Sequence, residues 1–299
     1  MTVRWVAIAS GQGGQRQDHL RRLEASLLRD AWQRAMGGRR ADAGALADNR
    51  IAQPTLVAWQ LDAYGEVAAR LPPPVLMAGY SVGEIAACAI AGGMAPGDAI
   101  DVAAERARTM DAAAPFPCAL AAILGLSERD VDAACARHGT WIAIRNGMRH
   151  FIVGGARDKV QRVSDDAHAA GATRAHLLSV RTPAHTPMLE AAVTPFAHVL
   201  ERFVHAPLRI PMISGIDASR IANRDEVIAA LSRQLATRLD WAACMDAIGE
   251  MQPDAVLEIG PGNAIARMFA DAWPDVPVRA IDDFRDLAAA SAWVSAQRR

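Results

Sequence analysis

Lysine is almost absent: Lys159 is the sole lysine in 299 residues, so arginine carries nearly all the basic charge. These arginines are dispersed, and 32 Lys and Arg against 33 Asp and Glu give a formal net charge of −1. That balance excludes a generally basic nucleic-acid binder. Cysteine is also scarce. Cys88, Cys118, Cys135 and Cys244 lie far apart with no CxxC pair, which argues against a disulfide framework and against a zinc knuckle. No apolar run approaches the ~20 residues that span a bilayer, and the opening MTVRWVAIAS lacks the long apolar stretch of a secretory signal. The expectation is a soluble, cytoplasmic protein with neither a membrane nor a nucleic acid as partner. Hydrophobic residues make up 52% of the chain, enough to bury a sizeable core. The length allows one large domain or a core with a smaller insert.

Strands alternate with helices along the chain. Val3–Ala9 reads as a short strand running into glycines, and His19–Arg34 as a helix with leucines on one face. Ile51–Leu71 is a second helix, stopped by Pro72, Pro73 and Pro74. Val75–Ala78 is a brief buried strand, followed at once by helix Gly83–Ala91 and then by Pro96–Ala113. Beyond the prolines at 115 and 117 the order becomes strand (119–124), helix (128–137), strand (141–145), strand (151–153), helix (158–170) and strand (174–180). This β-α-β-β-α-β succession is the ferredoxin-like pattern. Helices over 188–203, 225–237, 241–251 and 264–272, with strands at 212–213, 256–258 and 278–280, return to the first pattern, and a helix over 287–294 closes the chain. The expected fold is therefore α/β: a hydrolase-like parallel-sheet core, residues 1–116 and 183–299, with an inserted ferredoxin-like small subdomain at 117–182.

The sharpest motif is Gly79-Tyr80-Ser81-Val82-Gly83, a GxSxG pentapeptide between a predicted strand and helix. A nucleophile elbow needs small residues flanking a strained serine, and the turn lifts Ser81 Oγ above the sheet. It also aims the free N–H groups of the new helix at the place where an oxyanion develops. Gly11-Gln12-Gly13-Gly14-Gln15 follows the first strand. It has neither the GKS/T of a phosphate loop nor the GxGxxG of a dinucleotide site, which leaves an oxyanion-donor loop or a plain turn. Among the eight histidines, His185 stands apart in Arg181-Thr182-Pro183-Ala184-His185-Thr186-Pro187, where two prolines bracket a rigid loop end suited to a general base.

Taken together, GQGGQ (11–15), GYSVGE (79–84), ERAR (105–108), TPAH (182–185), RQL (233–235) with Trp241, and EIGPG (258–262) resemble the malonyl-CoA:acyl-carrier-protein transacylases, in order, from about residue 3 to 280. The resemblance implies Ser81 as acyl acceptor, His185 as base, and backbone N–H groups of Gln12 and Val82 as the oxyanion hole. It implies Arg106 as the partner of the malonyl carboxylate and the Gln234 carbonyl as the support of the histidine ring. Asn146 is implied near the active site. The partners implied are malonyl-CoA and an acyl carrier protein, and neither a metal nor a further cofactor is required. Tyr80 replaces the histidine usual in fatty-acid-synthesis members, GQGGQ replaces GQGSQ, and Ala107 replaces a glycine. GYSVGE resembles the transacylase (epsilon) subunit of malonate decarboxylase, which would add the other subunits of that enzyme as partners. The other readings of the chain are a fatty-acid or polyketide malonyl transacylase, an α/β-hydrolase-type thioesterase with an aspartate behind His185 (Asp101, Asp111, Asp130 and Asp132 lie in the interval), and a non-catalytic carrier-docking subunit.

Overall fold

A computed structural model describes residues 2–297 apart from 40, 43, 115, 116 and 206. The chain opens with β1 (Trp5–Ala9), α1 (Gln17–Glu24), α2 (Arg29–Ala35) and α3 (Asn49–Ala68), then β2 (Leu76–Gly79), α4 (Gly83–Ile90) and α5 (Pro96–Ala113). Its middle runs β3 (Cys118–Leu124), α6 (Glu128–His138), β4 (Trp141–Gly147), β5 (His150–Ala156), α7 (Arg157–Ala169) and β6 (Arg174–Leu177). The remainder is α8 (Glu190–Phe203), β7 (Met212–Ile213), β8 (Arg220–Ile221), α9 (Arg224–Arg233), β9 (Leu239–Asp240), α10 (Trp241–Glu250), β10 (Ala255–Ile259), α11 (Ala264–Ala272), β11 (Val278–Ala280) and α12 (Leu287–Ala296). The stop expected at 115–116, and with it the end of the expected first core segment at 116, lies outside the described residues.

Two sheets form. The first has the order β11-β10-β1-β2-β7-β8; its strands pair in parallel except for β8, which runs antiparallel to β7. The expected parallel core is thus a mixed sheet, because the chain after Ile213 turns back on itself before α9. The central strands are apolar on both faces, as a sheet covered on both sides requires. Trp5, Ala7, Ala9, Met77 and Leu257 pack against α3, α4, α5 and α8, while Val6, Ile8, Leu76, Ala78 and Val256 face the opposite way. On that second face they meet Leu120, Ala143, Ile144 and Ile152 of the other sheet, with Trp241 of α10 and Phe269 of α11.

The second sheet has the order β6-β3-β5-β4-β9. Its first four strands are antiparallel, and α6 and α7 cover the outer face through Val131, Val160 and Val163. β9 belongs to the later part of the chain and joins β4 in parallel. It is fixed there by the paired bonds Arg145 Nε–Asp240 Oδ1 and Arg145 Nη2–Asp240 Oδ2, both 2.9 Å. Two residues carry too little periodicity to be read as a strand.

Other boundaries moved for local reasons. The helix expected over 19–34 breaks into α1 and α2 because the Ser26 hydroxyl accepts Leu28 N–H at 3.0 Å and donates to Asp62 at 2.5 Å, offering the backbone an alternative to the helix. The helix expected over 225–237 ends at Arg233, which leaves Gln234 as its C-cap with a carbonyl unclaimed by the helix.

At the far side of the first sheet, Glu258 is 1% exposed and accepts Ala266 N–H at 2.7 Å and Ile265 N–H at 3.4 Å, at the start of α11. Burial raises its pKa from 4.5 to about 8. A carboxyl whose folded pKa exceeds its unfolded value contributes stability that is fully present below the unfolded pKa and is lost as pH rises through the folded one. Thermal melts of Glu258→Gln should therefore show a smaller fall in Tm between pH 4.5 and 8 than the unaltered chain. An unchanged slope would mean that this carboxyl is ionised across the whole range.

Candidate active site

β2 ends at Gly79, and the chain then folds sharply into α4. A Cβ on Gly79 would overlap the Glu84 backbone nitrogen, and one on Gly83 would overlap the Ala9 carbonyl, so the turn admits glycine at both places. Between them Ser81 sits at φ 57°, in the left-handed region that costs a residue with a Cβ about 1–3 kcal/mol. The N–H groups of Gly83, Glu84 and Ile85 are satisfied inside the turn by the carbonyls of Tyr80, Ser81 and Val82, at 3.0–3.1 Å. Val82 precedes them, at the N-cap of α4, and lines the cavity beside Ser81.

His185 is the second residue with a Cβ held at positive φ, 63°. Its backbone N–H donates to the Leu235 carbonyl at 2.8 Å, and its Nδ1 lies 2.5 Å from the Gln234 carbonyl oxygen. That carbonyl is the one left open where α9 stops, so Nδ1 carries the proton. Nε2 is then the acceptor facing Ser81 Oγ at 2.7 Å. No aspartate takes the acid's place among the described contacts of the ring. Asp111 holds Arg50 and Asn49, Asp101 holds Arg34, and Asp130 holds Ser127.

Arg106 rises from α5 beneath this pair and is 1% exposed. Nη1 donates to Gln53 Oε1 at 2.9 Å, and Nη2 to Gln234 Oε1 at 3.3 Å and Ser81 Oγ at 3.4 Å. Its Nε is buried without a partner. Among the described residues no carboxylate forms an ion pair with it, so two neutral glutamines cradle a dry cation. Burial lowers its pKa to about 10, against a partial opposing pull from Glu84. The same burial, reinforced by the Arg106 charge, drives His185 from 6.5 down to about 3, with the Gln234 carbonyl resisting. Glu84 is fully buried; its Oε1 accepts Gly215 N–H at 2.8 Å, and burial raises it to about 8.

The cavity above Ser81 has a volume of about 130 Å³. Gln12, Val82, Arg106 and His185 line it from the first sheet's side, and Leu120, Ile144 and Ile152 close it from the second sheet. Asn146 is not in its wall. It is buried behind Tyr80, whose hydroxyl donates to Asn146 Oδ1 at 3.0 Å. Among the described residues no group of three or more His, Cys, Asp and Glu is arranged to hold a metal ion. Sequence reasoning missed Gln53 and the side-chain role of Gln234. Gln53 had a signal: with Gln60 it places two amides seven apart on one face of a helix whose apolar residues are largely buried, and both are buried.

A serine at an elbow, a base whose second nitrogen rests on a carbonyl, and a buried cation form an acyl-transfer arrangement, and the comparisons with known proteins agree. The acyl transferase domain family matches residues 8–283. The chain belongs to that family. Among similar proteins, the malonyl CoA-acyl carrier protein transacylase of Mycobacterium tuberculosis is 29% identical over 294 residues, covering 94% of this chain and 97% of that protein. The crystal structure of MCAT from the same organism superposes with a TM-score of 0.87 at 28% identity, over 96% of this chain and 100% of that one. A solved complex of a type II polyketide acyl-carrier protein with its malonyl-transacylase shares the fold, with a TM-score of 0.86 at 24% identity over 97% and 99% of the two chains.

For this acyl transferase the depressed His185 pKa has a measurable consequence. The free imidazole stays neutral, and so competent as a base, down to about pH 3. Labelling of Ser81 by a neutral fluorophosphonate should hardly change between pH 7 and pH 5. A base at the ordinary value of ~6.5 would become about 25-fold less available between pH 7 and pH 5, and a fall of that size would contradict the lowered pKa of His185.

Proposed function

We propose that this acyl transferase moves a malonyl group from malonyl-CoA to the thiol of an acyl carrier protein through a malonyl ester on Ser81. The observation that carries this reading is Arg106, a buried guanidinium in ion-pair contact with no carboxylate among the described residues, 3.4 Å from Ser81 Oγ. Such a cation is an incomplete ion pair, and the free carboxylate of a diacid thioester completes it. A guanidinium presents parallel N–H donors matched to a carboxylate.

Ser81 Oγ attacks the thioester carbonyl carbon while His185 Nε2 takes its proton. The tetrahedral oxyanion lies toward the N–H groups of Gln12 and Val82. Collapse breaks the C–S bond, and the imidazolium returns its proton to the departing CoA sulfur. The carrier thiol then reverses the sequence: His185 removes the thiol proton, a new C–S bond forms, and Ser81 Oγ leaves with the proton. Two half-reactions on one enzyme predict ping-pong kinetics. The residues of the chain supply every group the steps need, without a metal or a redox cofactor.

The similarity to named malonyl transacylases favours the fatty-acid or polyketide type of enzyme. The malonate decarboxylase branch rests on Tyr80 and the GYSVGE string alone, and the relatives above lend it no support. A carrier bearing an ordinary phosphopantetheine arm is therefore the expected acceptor. A thioesterase reading is disfavoured by the carbonyl, rather than a carboxylate, behind His185.

Intact-mass measurement after a short exposure to malonyl-CoA should show a malonyl adduct on the native chain and none on Ser81→Ala. Arg106→Ala should lower malonyl transfer about 10- to 100-fold more than acetyl transfer, the equivalent of a charged hydrogen bond worth ~1.5–3 kcal/mol. Equal losses for both acyl groups would remove Arg106 from substrate selection. In a competition between carriers, malonyl should appear on a fatty-acid carrier. Transfer only to a malonate decarboxylase carrier would reverse the choice of branch, and release of free malonate without carrier product would favour hydrolysis.

A further inference from the structure

The Gln12 loop is clamped from two sides. A Cβ on Gly14 would overlap the Pro261 carbonyl, and one on Gly11 would lie 2.6 Å from Tyr80 Cδ1. The Tyr80 ring thus bears directly on the backbone one residue before Gln12. The ring is itself fixed at two further points. Its hydroxyl donates to Asn146 Oδ1 at 3.0 Å, and its face and edge meet Trp241 with centroids 5.3 Å apart at 76°. Burial raises the phenol pKa, which keeps it a donor. Asn146 stands where β4 slips register against β5, between Arg145 and Gly147, and an irregularity of this kind re-aims a side chain. Its Nδ2 lies 3.4 Å from His150 Nε2, so the amide is held at both ends and its oxygen is presented to Tyr80.

Tyr80 therefore touches three parts at once: it adjoins the nucleophile in the elbow, braces the Gln12 loop, and is bonded to the second sheet. We propose that Tyr80 is a positioning residue that sets the place of the Gln12 N–H relative to Ser81, with its own ring held in place by Asn146. The proposal rests on the transferase reading above, in which Gln12 N–H receives the oxyanion. Tyr80 lines the cavity above Ser81, but its hydroxyl is committed to Asn146 rather than to Ser81 or His185. Its effect reaches the transition state through the loop, where a displacement well under 1 Å already weakens an oxyanion donor.

The test measures the rate of Ser81 malonylation by quenched-flow mass spectrometry, together with steady-state kcat and KM for malonyl-CoA, on the full chain. Tyr80→Phe keeps the ring and frees it from Asn146, while Asn146→Leu leaves Tyr80 intact and removes its acceptor. Each should lower the acylation rate and kcat about tenfold with KM unchanged, and the double variant should be no slower than either alone, because both remove one bond. Asn146→Leu carries the test if Tyr80→Phe does not fold. Native acylation rates in both variants, losses that multiply in the double variant, or an effect confined to KM would each overturn the proposal. Absence of any Ser81 adduct on the unaltered chain would overturn the transferase reading itself, and this inference with it.

Discussion

A cation sealed from water beside a hydroxyl, with no carboxylate among the described residues in ion-pair contact, is the constraint on which the rest of this structure depends. Taking a guanidinium out of water costs several kcal/mol, and the usual remedy is a carboxylate in contact. Arg106 has glutamine oxygens instead, from Gln53 and Gln234, together with the Ser81 oxygen and a more distant pull from Glu84. Dipoles offset part of the desolvation and leave the charge available. The fold then has to prevent the protein's own acids from collapsing onto the cation. Glu84, the carboxyl whose charge Arg106 feels, has one oxygen committed to Gly215 N–H and sits in a burial that favours its protonated form.

The same site concentrates backbone strain. Ser81 and His185 both occupy the left-handed region, and each is held there by the structure around it. Gly79 and Gly83 make the elbow sterically possible, while the Leu235 carbonyl and the Gln234 carbonyl grip His185 by its backbone and its ring. Gln234 links the two halves, since its amide also donates to the Ser81 carbonyl at 3.3 Å. One residue at the end of a helix thereby touches nucleophile, base and cation.

What the sequence made legible were the features that depend on local chemistry. The glycines around Ser81, the proline-bracketed His185 and the order of motifs singled out Ser81, His185 and Arg106, and the structure gathers all three around one cavity. What it concealed were features created only by chain return. Leu239–Asp240 is two residues long and becomes a strand only because β4 offers an edge and Arg145 a partner for Asp240. Ser26 sits in a helical pattern and breaks it because Asp62, far along the chain, receives its hydroxyl. The contact of Tyr80 with Asn146 joins residues 66 apart, across two sheets, and no spacing rule reaches that distance. Gln53 is intermediate: a polar residue on a buried helix face is visible as an anomaly in sequence, but its partner is not.

The carbonyl behind His185 gives the uncompensated cation a second consequence. An imidazolium backed by a carboxylate is stabilised by a full charge, whereas one backed by the Gln234 carbonyl is stabilised only by a dipole, and here it also faces Arg106. Burial first and the Arg106 charge second hold the imidazole neutral, against the opposing pull of the Gln234 carbonyl. Under the proposed transfer, a carboxylate seated on Arg106 offsets part of that repulsion and makes His185 a better proton acceptor. A water molecule or a monoacid thioester leaves the repulsion standing and meets a poorer base. On the proposed reading, one charge bears on both the choice of acyl group and the strength of the base.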